Sequence, residues 1–347
     1  MRKSQFIEQL KAGDRLDDFF LVKSARMAET RAGKPYMTLE VVDRTGEISG
    51  PIWDRAEELQ GLCQGGLFVH LSGQVQSYRD KLQLKIDAVR GVDRSEIDPA
   101  DFTLVSDQDR TGMAEELQLL AASVKNPHLR KLLAFFFKRE PMWQRFQDAP
   151  AAKGIHHAYA GGLLEHSLSV ARTADLMAAH YVGVDRSLLV TGALLHDIGK
   201  VDELELELAV IDYTADGRLK GHLVMGSEMV AAAATQIKDF PAELLTQLQH
   251  LILSHHGRQE FGSPTVPMTM EAFLLSCMDD LDAKMNLMEQ LRKKMKTPGL
   301  QWTEYQRSLE RYLYLGPFEE ERSLRCASED LDDGQGQSAP VRQPTLF

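Results

Sequence analysis

Seven residues able to hold a divalent metal follow one another in a fixed order: His166, the pair His196-Asp197, His222, the pair His255-His256, and Asp279. Divalent metals are held by imidazole and carboxylate, and a set converging from four or five helices can hold two of them. Taken singly, each histidine reads as a core residue and each aspartate as a cap or a solvated charge. Taken together, adjacent His-Asp and His-His pairs flanked by further His and Asp point to a metal centre and to hydrolysis.

These residues need helices to bring them together. Apolar stripes of period 3.6 predict helices over 113–124, 127–138, 162–181, 187–196, 222–238, 242–256, 268–296 and 302–314. Leu163, His166, Val170, Ala174 and Met177 share one helix face, which aims His166 inward. His196 and Asp197 stand where a helix ends at Gly199, and His255 continues the stripe Leu244, Leu248, Leu251. Asp279 and Asp282, three apart, lie on one side of the last long helix.

Upstream the pattern is different. The run Pro35–Asp43 alternates, turns at Arg44–Glu47 and continues through Ile48–Trp53; Leu67–Val75 and Leu82–Ile86 follow. Short alternating strands broken by glycine and polar turns predict a small closed barrel over 12–92, and their spacing resembles a nucleic-acid-binding OB-fold. Tyr36, Trp53, Tyr78, Arg79, Lys81 and Lys85 are its candidates for stacking and neutralising a single strand, with Tyr36 and Trp53 equally readable as barrel core. The fold class is thus multidomain. An all-β barrel at 12–92 and a linker or extended arm at 93–112 precede an all-α domain at 113–320 and a polar, acidic tail at 321–347 predicted to be disordered.

Bulk properties narrow the function. No stretch approaches the ~20 apolar residues of a membrane span, and the first residues lack the apolar core of a secretory signal. Cys63, Cys277 and Cys326 form no paired framework, which predicts a reducing cytoplasm. A net charge of −11 argues against tight non-specific duplex binding but leaves a single-stranded substrate open, because the acidic excess lies in the later helices, in Asp202–Glu207 and in the tail.

The order of ligands resembles that of the HD-domain metal-dependent phosphohydrolases. The strings APAAKGIHHAYAGGLLEHSLSVAR, LLHDIGKV, GHLVMGSEMV, ILSHHGRQEFGSP and MDDLDAKMN are similar to the YhaM-type 3′→5′ exoribonucleases, which join an N-terminal OB-fold to an HD domain. The likeness runs from about residue 12 to 315. It implies that His166, His196, Asp197 and Asp279 form the basic HD site, with Asp280 and Asp282 as fallbacks for Asp279, that His222, His255 and His256 add a second ion, and that Asp197 bridges the two. It implies a substrate-phosphate contact for Lys200 and, more weakly, a substrate contact for His157. Two ions, Mn by resemblance with Fe or Co as alternatives, would activate water for in-line attack on a phosphodiester.

The function this predicts is a metal-dependent 3′→5′ exonuclease of single-stranded RNA, with single-stranded DNA as a further substrate, releasing 5′-mononucleotides. The alternatives are a phosphohydrolase of small nucleotides and an accessory protein of DNA maintenance. The latter rests on Gln343-Pro344-Thr345-Leu346-Phe347, which resembles the short motif that docks bacterial proteins on the sliding clamp. Self-association through the apolar helices stays open.

Overall fold

The computed structural model describes residues 3–30, 32–78, 81–102, 108–153, 157–208, 210–295 and 302–315. The chain divides into a larger unit, Met1–Lys284, and a smaller one, Met285–Phe347. Gln343–Phe347 and Arg79 lie outside the described residues.

The larger unit opens with five antiparallel strands: β1 (Arg15–Glu29), β2 (Pro35–Asp43), β3 (Gly46–Ile52), β4 (Phe68–Tyr78) and β5 (Lys81–Val92). They are ordered β3-β2-β1-β4-β5, and the two outer strands meet. A Cβ at Gly50 in β3 would stand only 2.2 Å from the Leu84 carbonyl oxygen in β5, an approach that only glycine permits. The sheet therefore closes on itself around Leu16, Phe20, Val22, Met37, Leu39, Val41, Val69, Leu71 and Leu84, all buried. This is the OB-like barrel, and its inward residues recur at alternate positions as pleating requires. A short helix, α1 (Ala56–Leu59), covers one end through Ala56.

The stretch read as a linker is packed where it is described. Short 3-10 turns at Arg94–Glu96 and Pro99–Asp101 bring Ile97 and Phe102 onto Phe19, Leu21, Val42 and Phe68 on the outer face of the barrel. Two buried apolar side chains suffice to dock the segment. The next helix also begins earlier than the apolar stripe suggests, at Arg110, because Asp109 caps it by accepting from the Thr111 N–H.

The helical part comprises α2 (Arg110–Ala122), α3 (Pro127–Phe137), α4 (Met142–Asp148), α5 (Gly162–His180), α6 (Arg186–Leu195), α7 (Lys200–Glu203), α8 (Ala215–Thr235), α9 (Ala242–Ser254) and α10 (Met270–Lys294). One core holds them, built from Phe136, Phe137, Phe146, Leu164, Leu194, Leu251 and Leu275 among others. Between α7 and α8 the helical domain carries one short β insertion. β6 (Leu204–Glu207) and β7 (Val210–Tyr213) form an antiparallel hairpin. The alternation Leu204-Glu205-Leu206-Glu207 is a strand pattern, and sequence reading had counted it only as acidic charge. Leu208 and Val210 of this hairpin lie against the outer cluster of the barrel, and Arg94 pairs with Glu207.

Helix α8 differs too. It starts at Ala215 rather than at His222, capped by Thr214, and bends at Gly221, whose φ of 74° and ψ of 155° no helix contains. In the smaller unit, residues 302–315 are not helical. Trp302 bridges Tyr314 and Gln306 bridges Arg311, with cross-strand ring contacts of 5.3 Å for both Trp302–Tyr314 and Tyr305–Tyr312. Aromatic pairing across a turn prevails there over a helical spacing of the same residues. No helix among the described residues is long and apolar enough to cross a membrane.

Candidate metal centre

Five histidines come together by their Nε2 atoms. Helix α5 delivers His166, the end of α6 His196, the kink of α8 His222, and the end of α9 both His255 and His256. His166 Nε2 lies 3.1 Å from His196 Nε2, and His222 Nε2 lies 3.3 Å from His256 Nε2. Each ring is turned this way by a bond at its other nitrogen. Nδ1–H donates to Asp282 Oδ2 from His166 (2.7 Å), to the Ala193 carbonyl from His196 (2.8 Å) and to Glu203 Oε1 from His222 (3.0 Å). It donates to the Ile252 carbonyl from His255 (2.7 Å) and to the Phe261 carbonyl from His256 (2.9 Å). Carbonyls and carboxylates accept only, so the outward bonds fix the tautomer and leave every Nε2 lone pair facing inward.

Asp197 stands between two halves of this set. Its Oδ2 faces Lys200 Nζ at 2.6 Å, His196 Nε2 at 3.3 Å and His166 Nε2 at 3.6 Å. Its Oδ1 faces His222 Nε2 and His255 Nε2, each at 3.5 Å. That second oxygen is buried and has no hydrogen-bond partner, an arrangement that costs free energy unless a cation satisfies it. Asp279 completes the first half, with Oδ1 3.0 Å from His166 Nε2 and 3.6 Å from His196 Nε2. Inward lone pairs and an orphaned carboxylate oxygen are what a divalent ion needs, and the residues present fit one ion on each side of Asp197.

The carboxylates that would draw a metal ion also draw protons onto the first half, which a bound ion would displace. Burial disfavours charge on His196, yet Asp197 and Asp279 outweigh it and raise its pKa to about 10. His166 is raised as well, against burial, by Asp279 and Asp282. His255, buried with weaker support from Asp197, falls to about 4. Burial would lift Asp197 and Asp279, but Lys200 and His196 for the first, and His166 and His196 for the second, hold both carboxyls well below the usual range. The half containing Asp279 is thus a strongly cation-attracting pocket, whereas burial lowers both His255 and His256 toward neutral imidazole.

The chain's local geometry makes this placement rigid. After His196-Asp197 the backbone turns at Gly199, where a Cβ would lie 2.2 Å from the His222 carbonyl oxygen and 2.7 Å from the Gly226 nitrogen. Only glycine lets α8 rest backbone-to-backbone on the His-Asp turn. At the Gly221 kink the freed His222 N–H donates to Glu203 Oε1 at 3.0 Å, so this one carboxylate holds His222 by both backbone and ring. Glu203→Gln is expected to weaken metal affinity about 10- to 100-fold, the usual cost of a lost outer carboxylate, while circular dichroism stays native. Equilibrium dialysis against Mn would check this.

Comparison with known proteins bears on what such a centre does. The HD domain model matches residues 163–284. The 3′-5′ exoribonuclease YhaM of Bacillus subtilis is 35% identical over 306 residues, spanning 88% of this chain and 96% of that protein. Those of a Geobacillus species and Shouchella clausii are 33% and 35% identical over 312 and 296 residues, covering 90% and 84% of this chain and 94% and 91% of theirs. The chain belongs to the YhaM family. Its HD domain is accordingly metal-dependent, and the Nε2 cluster lies within the matched span.

Several residues fall differently from the expectation. Asp282 stands behind His166, on Nδ1, where it also accepts from Ser169 and faces His157 Nε2 at 3.3 Å. Asp280 points away and pairs with Lys284. Of the three aspartates left open, Asp279 alone faces the Nε2 atoms. His157 is 3% exposed and contacts Asp282 and the Tyr159 hydroxyl. Its ring is buried behind Asp282. Lys200 keeps its ammonium beside Asp197, with 12% of its side chain exposed. In the barrel, Tyr36 and Trp53 stack at 4.9 Å, with Trp53 51% exposed, which removes the core reading for Trp53. Tyr78 and Lys85 are also exposed; Lys81 lies in β5. Glu203 and Asp282 were missed as orienting groups because each looks like one acid among several on a charged stretch.

Proposed function

We infer that the chain is a metal-dependent 3′→5′ exonuclease of single-stranded RNA, releasing 5′-mononucleotides, with single-stranded DNA as a secondary substrate. The observation that carries this is the split of Asp197 between two imidazole groups, combined with the name shared by its relatives. His166, His196, Asp279 and Asp197 would hold one ion; His222, His255, His256 and Asp197 the other. Imidazole and carboxylate donors suit Mn, Fe or Co better than Mg, which prefers oxygen ligands, and the family resemblance favours Mn. Bound there, two ions supply a hydroxide at neutral pH and neutralise phosphate oxygens.

The chain's own groups do the rest. Burial works against the Lys200 ammonium, but Asp197 raises its pKa and keeps it charged. A fixed ammonium at the mouth of the centre stabilises negative charge as it builds on the phosphate. Asp282, Glu203 and the three carbonyls hold the imidazoles in register, which spares the reaction any reorganisation. The stacked Tyr36–Trp53 pair, with Tyr78 and Lys85, offers the strand a face on the barrel. Trp53→Ala is expected to weaken binding of an unstructured RNA by about 1–3 kcal/mol, the range for one lost base–aromatic stack, without changing metal content. Fluorescence anisotropy would measure it.

The function itself is tested by supplying Mn-loaded protein with a 5′-labelled linear RNA, its DNA counterpart and a circular RNA. Stepwise shortening of the linear strands, faster for RNA, with mononucleotide release and an intact circle, is the expected result. Cleavage of the circle would replace the exonuclease with an endonuclease; inert polymers beside hydrolysed small nucleotides would move the substrate class. Docking of Gln343–Phe347 on a sliding clamp is a separate proposal resting on those five residues. Unchanged clamp binding after their deletion would dispose of it.

A further inference from the structure

The turn that follows His255-His256 has an outer face the metal centre does not use. Gly257 (φ 78°) ends α9 and Gly262 (φ 95°) closes the turn, and a 3-10 segment, Gln259–Phe261, lies between them. The turn is tied to itself: Phe261 N–H donates to the Arg258 carbonyl at 3.2 Å, Gly262 N–H to the Gln259 carbonyl at 2.9 Å, and Ser263 N–H to the Arg258 carbonyl at 3.3 Å. It is also tied to the metal centre, because the Phe261 carbonyl accepts the Nδ1–H of His256 at 2.9 Å. The Phe261 ring is left 62% exposed, one side-chain length from a metal-facing imidazole. The Arg258 guanidinium sits 6.0 Å from that ring and makes no ion pair among the described residues.

An exposed ring on a rigid turn gains nothing for stability by facing water. Beside a phosphodiester-cleaving centre, with a cation 6.0 Å over one face and the ring exposed, it has the composition of a base-stacking platform. We propose that Phe261, with Arg258 beside it, takes the 3′-terminal base of a single-stranded RNA by stacking while the adjoining phosphodiester lies at the metal centre. This rests on the exonuclease reading above and adds to it where the terminal base goes. The barrel face is a remote grip on the strand; the Phe261 turn is the local one. Every base offers a π-face, so such a platform accepts all four and favours purines, whose stacking surface is larger.

The test uses Mn-loaded full-length protein and two 5′-labelled RNAs that differ only at the 3′-terminal residue, one bearing adenine and one an abasic ribose. The first cleavage is followed as kcat/KM. Wild type is expected to favour the base-bearing strand by about 5- to 100-fold, the worth of one stack. In Phe261→Ala and Phe261→Leu that ratio should fall toward unity, with Mn content equal to wild type, and Phe261→Trp should restore it. A merely structural ring would slow both strands equally and leave the ratio intact, and that result overturns the proposal. So does a wild type that cuts both strands alike, which would leave the exonuclease standing. A wild type that shortens neither RNA overturns the exonuclease reading itself.

Discussion

Asp197→Asn is expected to lower kcat on single-stranded RNA by at least about 10³-fold, the scale of losing a central electrostatic element of a hydrolytic site. The change keeps size and shape and removes one charge, yet that charge faces both halves of the centre. Asp197 Oδ2 meets His196 and His166, and Oδ1 meets His222 and His255. An amide offers one weak oxygen donor and one NH₂ group, so one half gains a proton donor where it needs an electron pair. Lys200 loses its 2.6 Å carboxylate partner at the same time. The loss should therefore appear as missing metal as well as missing turnover. Metal analysis of the purified variant separates this from misfolding, which circular dichroism would report. A variant that keeps two ions and most of its activity would contradict the assignment of Asp197.

Chelation is expected to have the second large effect. Dialysis against a chelator should abolish activity and lower the melting temperature by on the order of 5–10 °C, from the few kcal/mol that saturating ligand adds to a folded state. The sign follows from the site. Without cations, Asp197 Oδ1 is buried and unpartnered, and lone pairs of His222 and His256 face each other at 3.3 Å. Resupplied Mn should restore both activity and stability at lower concentration than Mg, because imidazole donors outnumber carboxylates. Differential scanning fluorimetry beside the RNA assay measures the two together. Full activity in the chelated protein would remove metal from the mechanism.

The metal-facing residues were legible in the sequence because adjacency is informative: His196-Asp197 and His255-His256 at helix ends have few structural excuses. What lay behind them was not. Asp279 and Asp282 are one helical turn apart, and only the side of His166 that each meets distinguishes a ligand from an orienting group. Glu203 is hidden in an acidic run, and its role depends on the kink that Gly221 introduces far along the chain. The resemblance suggests a substrate contact for His157, and its burial behind Asp282 is a neighbour relation the sequence does not show. The barrel was readable from alternation. Its docking onto the β6–β7 hairpin was not, since Leu208, Val210, Ile97 and Phe102 form no local pattern and meet only in three dimensions. Residues 302–315 show the opposite failure, where a helical spacing of aromatics is satisfied instead by pairing across a turn.

Electron paramagnetic resonance of the metal-free chain titrated with Mn(II) tests the bridged centre most directly, since spin coupling requires two ions sharing a ligand. Binding should saturate at two Mn per chain, with a coupled signal appearing as the second equivalent enters and exonuclease activity rising with it. Saturation at a single ion with full activity, or two ions with no coupling, would contradict a centre built around Asp197.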